Sequence, residues 1–144
     1  MTKLPSQLTG LRLPVIAAPL FIISNPDLVI AQCKAGIVGS FPALNAREKD
    51  GEPIELERWL KQITEELDRY NQANPDNPAA PFAVNQIVHR SNARLDRDVE
   101  ICAKWKVPIW ITSLGGVRGI WRSTVQGSSG RRKQRRKRRS TDCV

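Results

Sequence analysis

Cysteine and histidine are scarce in this chain, and their placement excludes several common kinds of site. The three cysteines, Cys33, Cys102 and Cys143, are odd in number and lie far apart. Because no two of them have the spacing of metal ligands or of a redox pair, we expect free thiols, as in a reducing cytosol. His89 is the only histidine, and the sequence predicts no metal site.

Long hydrophobic runs are missing as well. The N-terminus has no charged region followed by an apolar stretch and a small-residue cleavage site, which a secretory signal needs. The apolar run 15–23 is interrupted by Pro19, and it has roughly half of the ~20 residues that a membrane helix requires. We therefore expect a soluble, cytoplasmic protein without a membrane partner.

Acidic residues are almost absent from the last part of the chain. Of the 14 Asp and Glu, 13 lie in residues 1–114 with 13 of the 23 Lys and Arg, so this part has no net charge. Residues 115–144 hold the remaining basic residues and a single acidic residue, Asp142. This part of the chain therefore accounts for the whole net charge of +9. Within them, 131–139 has eight basic residues in nine. Such a run repels itself and resists folding, so we expect a disordered tail over 117–144.

The rest of the chain alternates short apolar runs with amphipathic stretches. Apolar runs rich in β-branched residues are typical of strands buried on both faces, and apolar residues at helical spacing predict helices between them. This order predicts one α/β domain with a parallel sheet over residues 1–116. Either an open doubly wound sheet or part of a (β/α)8 barrel fits the pattern. The predicted strands are 14–23, 37–44, 82–88 and 107–116, with a helix after each of the first three.

Start and stop signals place the three predicted helices. Asn25 can cap the first, with Pro26 at its first position, and Gly36 suits its end. The second begins at Pro53, and Asn92 can cap the third. The predicted inner faces are Leu56, Trp59, Leu60, Ile63, Leu67 and Tyr70 on the second helix, and Leu95, Val99, Cys102 and Ala103 on the third.

Two short features lie where ligands bind in parallel α/β folds, at the carboxyl ends of strands. Ala17, Ala18, Pro19 and Leu20 lie at the end of the first predicted strand, and small residues there let a flat ring approach the backbone. Asn85 is an amide near the end of the third predicted strand, where it can bond a planar ligand rich in heteroatoms. On spacing alone each also has a structural interpretation: Pro19 ends a strand, and Asn85 is a buried amide satisfied by the protein.

Three segments together resemble the nitronate monooxygenases, the 2-nitropropane dioxygenase family. They are LPVIAAPLFIISNPDLVIAQCKAGIVGSFPALNAR (13–47), PFAVNQIVHRSN (81–92) and KVPIWITSLG (106–115), in the family's order and spacing. Members of this family are TIM barrels that bind flavin mononucleotide (FMN) and oxidise alkyl nitronates with O2 to carbonyl compounds and nitrite. The resemblance implies a partial TIM barrel here, made of the first three β/α units and the fourth strand.

The resemblance also implies cofactor contacts. In the family the turn after strand one lies against the flavin ring, which implies FMN contacts at Ala18, Pro19 and Leu20, although Leu20 replaces the usual methionine. The family's flavin-binding asparagine corresponds to Asn85. The family's catalytic histidine belongs to a later segment with no counterpart here, so we predict no catalytic residue and expect His89 to be structural. The implied enzyme, which takes a nitronate and O2, is therefore expected to be truncated and inactive by itself.

The basic tail has two interpretations. An abrupt change from a neutral, amphipathic pattern to an arginine-rich one is typical of a frameshift or a truncation. The alternative function for the whole chain is a small α/β domain with a basic arm that binds nucleic acid, since clustered cations contact phosphates. No aromatic residue interleaves with the run 131–139 to stack on bases. In either case, charge alone predicts weak and non-specific binding to polyanions.

Overall fold

Three α-helices alternate with three strands in the computed structural model, which describes residues 5–48 and 51–115. Two 3-10 turns, Ser6–Leu8 and Ala43–Asn45, complete the described elements. The predicted disordered tail, 117–144, lies outside the described residues. The elements are α1 (Pro26–Lys34), β1 (Gly39–Pro42), α2 (Ile54–Ala73), β2 (Phe82–Ile87), α3 (Leu95–Lys104) and β3 (Ile109–Ser113).

The three strands form a parallel sheet with β2 in the centre. Gly39 of β1 pairs with Phe82 of β2, and Ala83 of β2 pairs with Ile109 of β3. Each strand returns to the sheet through a helix, because parallel neighbours cannot be joined by a tight hairpin. The predicted α/β class, the parallel sheet and the last three predicted strands are confirmed.

The first predicted strand, 14–23, is wrong as a buried strand. It contributes one parallel bridge, between Ile16 and Val38. Pro14 and Pro19 lack the N–H that a longer ladder needs, and no strand of the described residues pairs with the other edge of the segment. Its large apolar side chains are exposed rather than buried: Val15, Ile16, Leu20, Phe21, Ile22 and Ile23.

The predicted signals at both ends of α1 are confirmed. Asn25 Oδ1 accepts a hydrogen bond from Leu28 N (2.9 Å), and Pro26 begins the helix. Gly36, just past the end, has a φ of 89°, a left-handed conformation that glycine adopts without the steric cost of a Cβ atom. The capping residues in the sequence therefore mark both ends of the helix.

One side of the sheet packs against the helices and forms the hydrophobic core. Phe41 of β1 and Phe82 and Val84 of β2 belong to this core. The predicted apolar face of α2 covers them, and it includes the fully buried Leu60 and Ile63. Burial of a large apolar side chain stabilises the fold by about 1.5–3 kcal/mol. The described unit is therefore held together on its helix-facing side.

Helix α1 and strand β1 approach each other closely at Gly39. A Cβ atom at this position would lie 2.5 Å from the carbonyl oxygen of Val29 and 3.0 Å from Cys33 Sγ. A methyl group there would force the helix away from the strand, because interiors are packed as densely as crystals. The close packing of α1 on the sheet therefore depends on a residue without a side chain.

Helix α3 differs from its prediction in two ways. It begins at Leu95, and the predicted cap, Asn92, instead folds the preceding turn by donating to Ile87 O (2.9 Å) and accepting from Arg94 N (3.3 Å). The inner face holds Cys102, as predicted, but its other fully buried residue is Asp98. Leu95, Val99 and Ala103 are only half-buried. A period of apolar residues cannot reveal a buried carboxylate, since such burial requires a charged partner.

Both described cysteines are free and buried, as predicted. Burial raises the pKa of Cys33 to about 11 and the pKa of Cys102 to about 12, so both remain protonated at neutral pH. No helix in the described part of the chain is long and apolar enough to cross a membrane. Residues 5–48 and 51–115 also contain no cluster of metal-ligating side chains.

Candidate functional site

The sheet has a second side, opposite the helices, which we call the far face. Successive residues of a strand alternate between the two sides, so the residues between those of the core belong to it. The side chains of the far face are uncharged, so it offers a ligand apolar contact and hydrogen bonds but no ion pairs. Its residues on β1 and most of those on β2 are buried, whereas Ile87 and the residues of β3 are partly exposed. It consists of Ser40 and Pro42 of β1, Ala83, Asn85 and Ile87 of β2, and Ile109, Ile111 and Ser113 of β3.

Asn85 lies in the middle of the far face, on the central strand. Pro42 and Ile111 are its paired neighbours on β1 and β3. The residue is 7% exposed, and its Oδ1 is buried without a hydrogen-bond partner among the described residues. A buried polar group left unpaired costs about 1–3 kcal/mol. The amide oxygen therefore has no bond within the protein that a ligand would have to displace.

Ala18, Pro19 and Leu20 follow the isolated bridge and lead into the hydrogen-bonded turn at residues 21–23; for brevity we call these three residues the turn. Ala17, just before the turn, is fixed to the far face because its carbonyl oxygen accepts a hydrogen bond from Ser40 Oγ. Ala18 is exposed, Pro19 is half-buried and Leu20 is 46% exposed. The turn therefore presents a small apolar surface beside the far face.

The structure brings this turn and Asn85 to the same region of the sheet, with β1 between them. Ser40 of β1 bonds to Ala17, and Pro42, two residues further on the same face, pairs with Asn85. Strands lie about 4.8 Å apart, so the turn and the amide are roughly 10 Å from each other. One flat aromatic ligand can span such a separation, although the cofactor roles of these residues stay predictions.

Asn45, which sequence analysis missed, holds the chain that follows the turn. It ends the 3-10 turn after β1 and is 8% exposed. Its Nδ2 donates to Leu20 O and to Ser24 O, both at 2.9 Å, and its Oδ1 accepts from Ile22 N at 3.1 Å. The sequence shows only an amide directly after an apolar strand. Its hydrogen-bond partners are distant in the sequence, so spacing cannot identify them.

Residues 20–24 form a tight loop on this amide. Leu20 N donates to Ser24 Oγ (2.9 Å), and Ser24 N donates to Leu20 O (3.1 Å). Ile22 has a φ of 67°, which is sterically costly for a β-branched residue. It is also 68% exposed, so burial does not compensate the cost. Backbone strain of this kind persists only where surrounding contacts fix it, and it is frequent at binding sites.

A buried ion pair supports the segment that carries Asn45. Arg94 Nη2 lies 3.0 Å from Asp98 Oδ1, and Asp98 is fully buried. Arg94 also donates to Ala46 O (2.8 Å) and to Ala43 O (3.4 Å). Burial raises the pKa of Asp98, and the hydrogen bond from the guanidinium opposes that rise. The pair thus fixes the backbone on both sides of Asn45.

His89 follows β2 and is exposed. Its Nδ1 lies 2.7 Å from Ser91 Oγ and accepts a hydrogen bond from Ser91 N (3.2 Å). These bonds close a local turn, and the structural role expected for His89 stays a prediction. The basic run 131–139 lies outside the described residues.

A groove of about 600 Å³ lies elsewhere, between α1 and α2. Charged side chains of both signs line it, among them Lys34 and Glu66, which pair with each other at 2.7 Å. It includes no residue of the far face or of the turn. We therefore do not assign the predicted ligand site to this groove.

Comparison with known proteins bears on the fold. No family model matches the chain, and no curated protein matches it. Among solved structures, a methionine-to-alanine variant of FabK from Thermotoga maritima is similar, with a TM-score of 0.62 and 20% sequence identity over 83% of this chain. The chain spans 34% of the length of that structure. At this identity the similarity shows the fold alone, and the three-stranded parallel α/β unit is consistent with part of a TIM-barrel-like fold.

Proposed function

We propose that this chain is part of a TIM-barrel flavoenzyme of the nitronate monooxygenase type. In this proposal FMN lies on the far face, in contact with Ala18, Pro19, Leu20 and Asn85. When bound, the flavin would accept electrons from an alkyl nitronate and donate electrons to O2. The free thiols Cys33 and Cys102 suit a cytoplasmic location.

The observation that carries the proposal is the unpaired Oδ1 of Asn85. An uncharged surface with one buried acceptor suits a planar ring that has both apolar area and hydrogen-bond donors. The apolar turn at the edge of this surface offers contact to the same ring. Because the far face of the described strands has no ionisable side chain, the chain's own contribution is to orient the ring and exclude water, and we assign no catalytic residue.

Titration of the purified chain with FMN tests this proposal through the quenching of flavin fluorescence. We expect saturable binding, weakened about tenfold by Asn85→Ala, since a lost hydrogen bond costs about 1–1.5 kcal/mol. The matched control is Asn77→Ala, an exposed amide in the loop after α2, which should bind as the unaltered chain does. No quenching at millimolar FMN, or equal weakening in both variants, would refute the flavin site.

Oxygen uptake tests the nitronate part of the proposal. With the chain saturated in FMN, uptake that depends on an alkyl nitronate and falls in Asn85→Ala would support the proposed reaction. Such uptake would also overturn the expectation that the chain is inactive by itself. Equal uptake with and without the nitronate is the result that the expected inactivity of the isolated chain predicts, and it would give the nitronate reaction no support.

A further inference from the structure

We propose that Asn45 is a positioning residue that fixes residues 20–24, and through them the turn Ala18–Leu20. The importance of this role for a ligand rests on the proposed flavin contact of that turn. The role itself rests on hydrogen bonds and backbone geometry that do not depend on any ligand.

The hydrogen bonds of the Asn45 side chain converge on one loop. Its Nδ2 donates two and its Oδ1 accepts one, and all three go to residues 20–24. Nδ2 reaches the carbonyl groups at both ends of the loop, and Oδ1 reaches the amide of Ile22 at its tip. One side chain is therefore bonded to both ends of the loop and to its tip.

The backbone at the tip of the loop is strained. Ile22 has a left-handed backbone with an exposed side chain, so neither steric preference nor burial favours this conformation. The hydrogen bond from Ile22 N to Asn45 Oδ1 does favour it, because it orients the amide of the strained residue. Asn45 is thus the described group best placed to compensate the strain.

Asn45 is itself held rigidly. Arg94 donates to the carbonyl oxygens of Ala43 and Ala46, and Asp98 orients Arg94 by accepting hydrogen bonds from its Nε and Nη2. A second link joins the same segments, since the Arg47 guanidinium lies 5.7 Å from the centre of the Phe21 ring. The loop is therefore tied to α3 through the segment after β1.

Amide hydrogen exchange measured by NMR tests the role. In Asn45→Ala, the amides of Leu20 and Ser24 should exchange at least tenfold faster, although their own acceptors are not on residue 45. The amides of β2 and α2 should change by no more than the overall loss of stability. Addition of Ile22→Gly should restore the protection of the Leu20 and Ser24 amides. Glycine adopts the left-handed conformation without the hydrogen bond to Asn45.

The single variant Ile22→Gly keeps the test decisive if Asn45→Ala does not fold. With Asn45 intact, relief of the strain should leave the protection of Leu20 and Ser24 equal or greater, and a loss would overturn the proposal. Unchanged exchange at both amides in a folded Asn45→Ala variant would overturn it as well, as would the absence of rescue by Ile22→Gly.

Flavin titration of the same variants separates this role from the proposed function. If the positioning role and the flavin contact are both correct, Asn45→Ala weakens FMN binding and the double variant restores it. The FMN affinity of each variant should then follow the protection of its Leu20 and Ser24 amides. If exchange responds as expected while FMN affinity stays constant, the positioning role stands and the flavin contact of the turn is refuted.

Discussion

The two sides of the sheet are built in different ways. On the helix-facing side, apolar side chains from α1, α2 and all three strands fill a core in which Phe41 and Leu60 are fully buried. Beside the far face, residues 13–23 expose their apolar side chains, and single polar groups such as Ser40 and Asn45 hold the backbone. Stability therefore belongs mainly to the first side, and the proposed flavin site lies on the second. Four predictions test this division.

Thiol labelling should show the largest difference between the two sides. In a Cys143→Ser background, the buried Cys33 and Cys102 should react with a thiol reagent only when the protein opens, on the order of a thousandfold slower than a free thiol. A cysteine placed beside the far face by Leu20→Cys should react at nearly the free rate. Fast labelling of Cys33 and Cys102 in the folded chain would show that the core is not closed.

Two phenylalanines provide a matched comparison of packing. Phe41 is fully buried, and the centre of its ring lies 5.6 Å from the centre of the Trp59 ring. Phe21, in contrast, is 61% exposed. We expect Phe41→Ala to lower the free energy of unfolding by about 3–5 kcal/mol and Phe21→Ala by less than about 1 kcal/mol. Urea denaturation measures both, and similar losses would break the distinction between the two sides.

Gly39→Ala tests the close approach of α1 to the sheet. Because the added methyl group would meet the Val29 carbonyl oxygen, we expect a loss of about 1–3 kcal/mol in the free energy of unfolding. Gly115→Ala is the milder counterpart, since its Cβ would lie 3.2 Å from the nearest atom, Val88 O. An equal or larger loss for Gly115→Ala would contradict the importance of the contact between α1 and β1.

Alkaline pH should weaken the core side selectively. The pKa of Cys33 is raised from 9.0 to about 11 by burial. Above pH 9 the unfolded chain therefore loses a thiol proton that the folded chain keeps, and stability falls as pH rises, by at most about 1.4 kcal/mol per pH unit for each thiol. Urea midpoints at pH 7.5 and pH 10 measure the decline, which should be smaller in Cys33→Ala; an identical decline would contradict it.

The elements that sequence predicted well are those whose signals are local. The cap at Asn25, the stop at Gly36 and the apolar period of α2 depend on residues within a few positions of each other, and the structure confirms them. The last three predicted strands were also confirmed, since each is a short apolar run between helices.

The errors came from features that depend on distant partners. The run 14–23 has the composition of a buried strand, but burial requires neighbours on both edges, and composition does not report them. Asp98 and Asn45 are buried because Arg94 and the loop 20–24 satisfy them. For the candidate site, the sequence located Asn85 and the turn Ala18–Leu20, yet it could not show the unpaired Oδ1 or the amide that shapes the loop.

The central place of β2 has a consequence for the order in which the chain can fold during synthesis. Only β2 pairs with both other strands, so β1 has no described partner strand until Phe82–Ile87 has left the ribosome. Until then the nascent chain can pack helix against helix, but Phe41 lacks its partner in the central strand. We expect chains that stall before residue 82 to be captured by chaperones, and chains released after residue 87 to escape them.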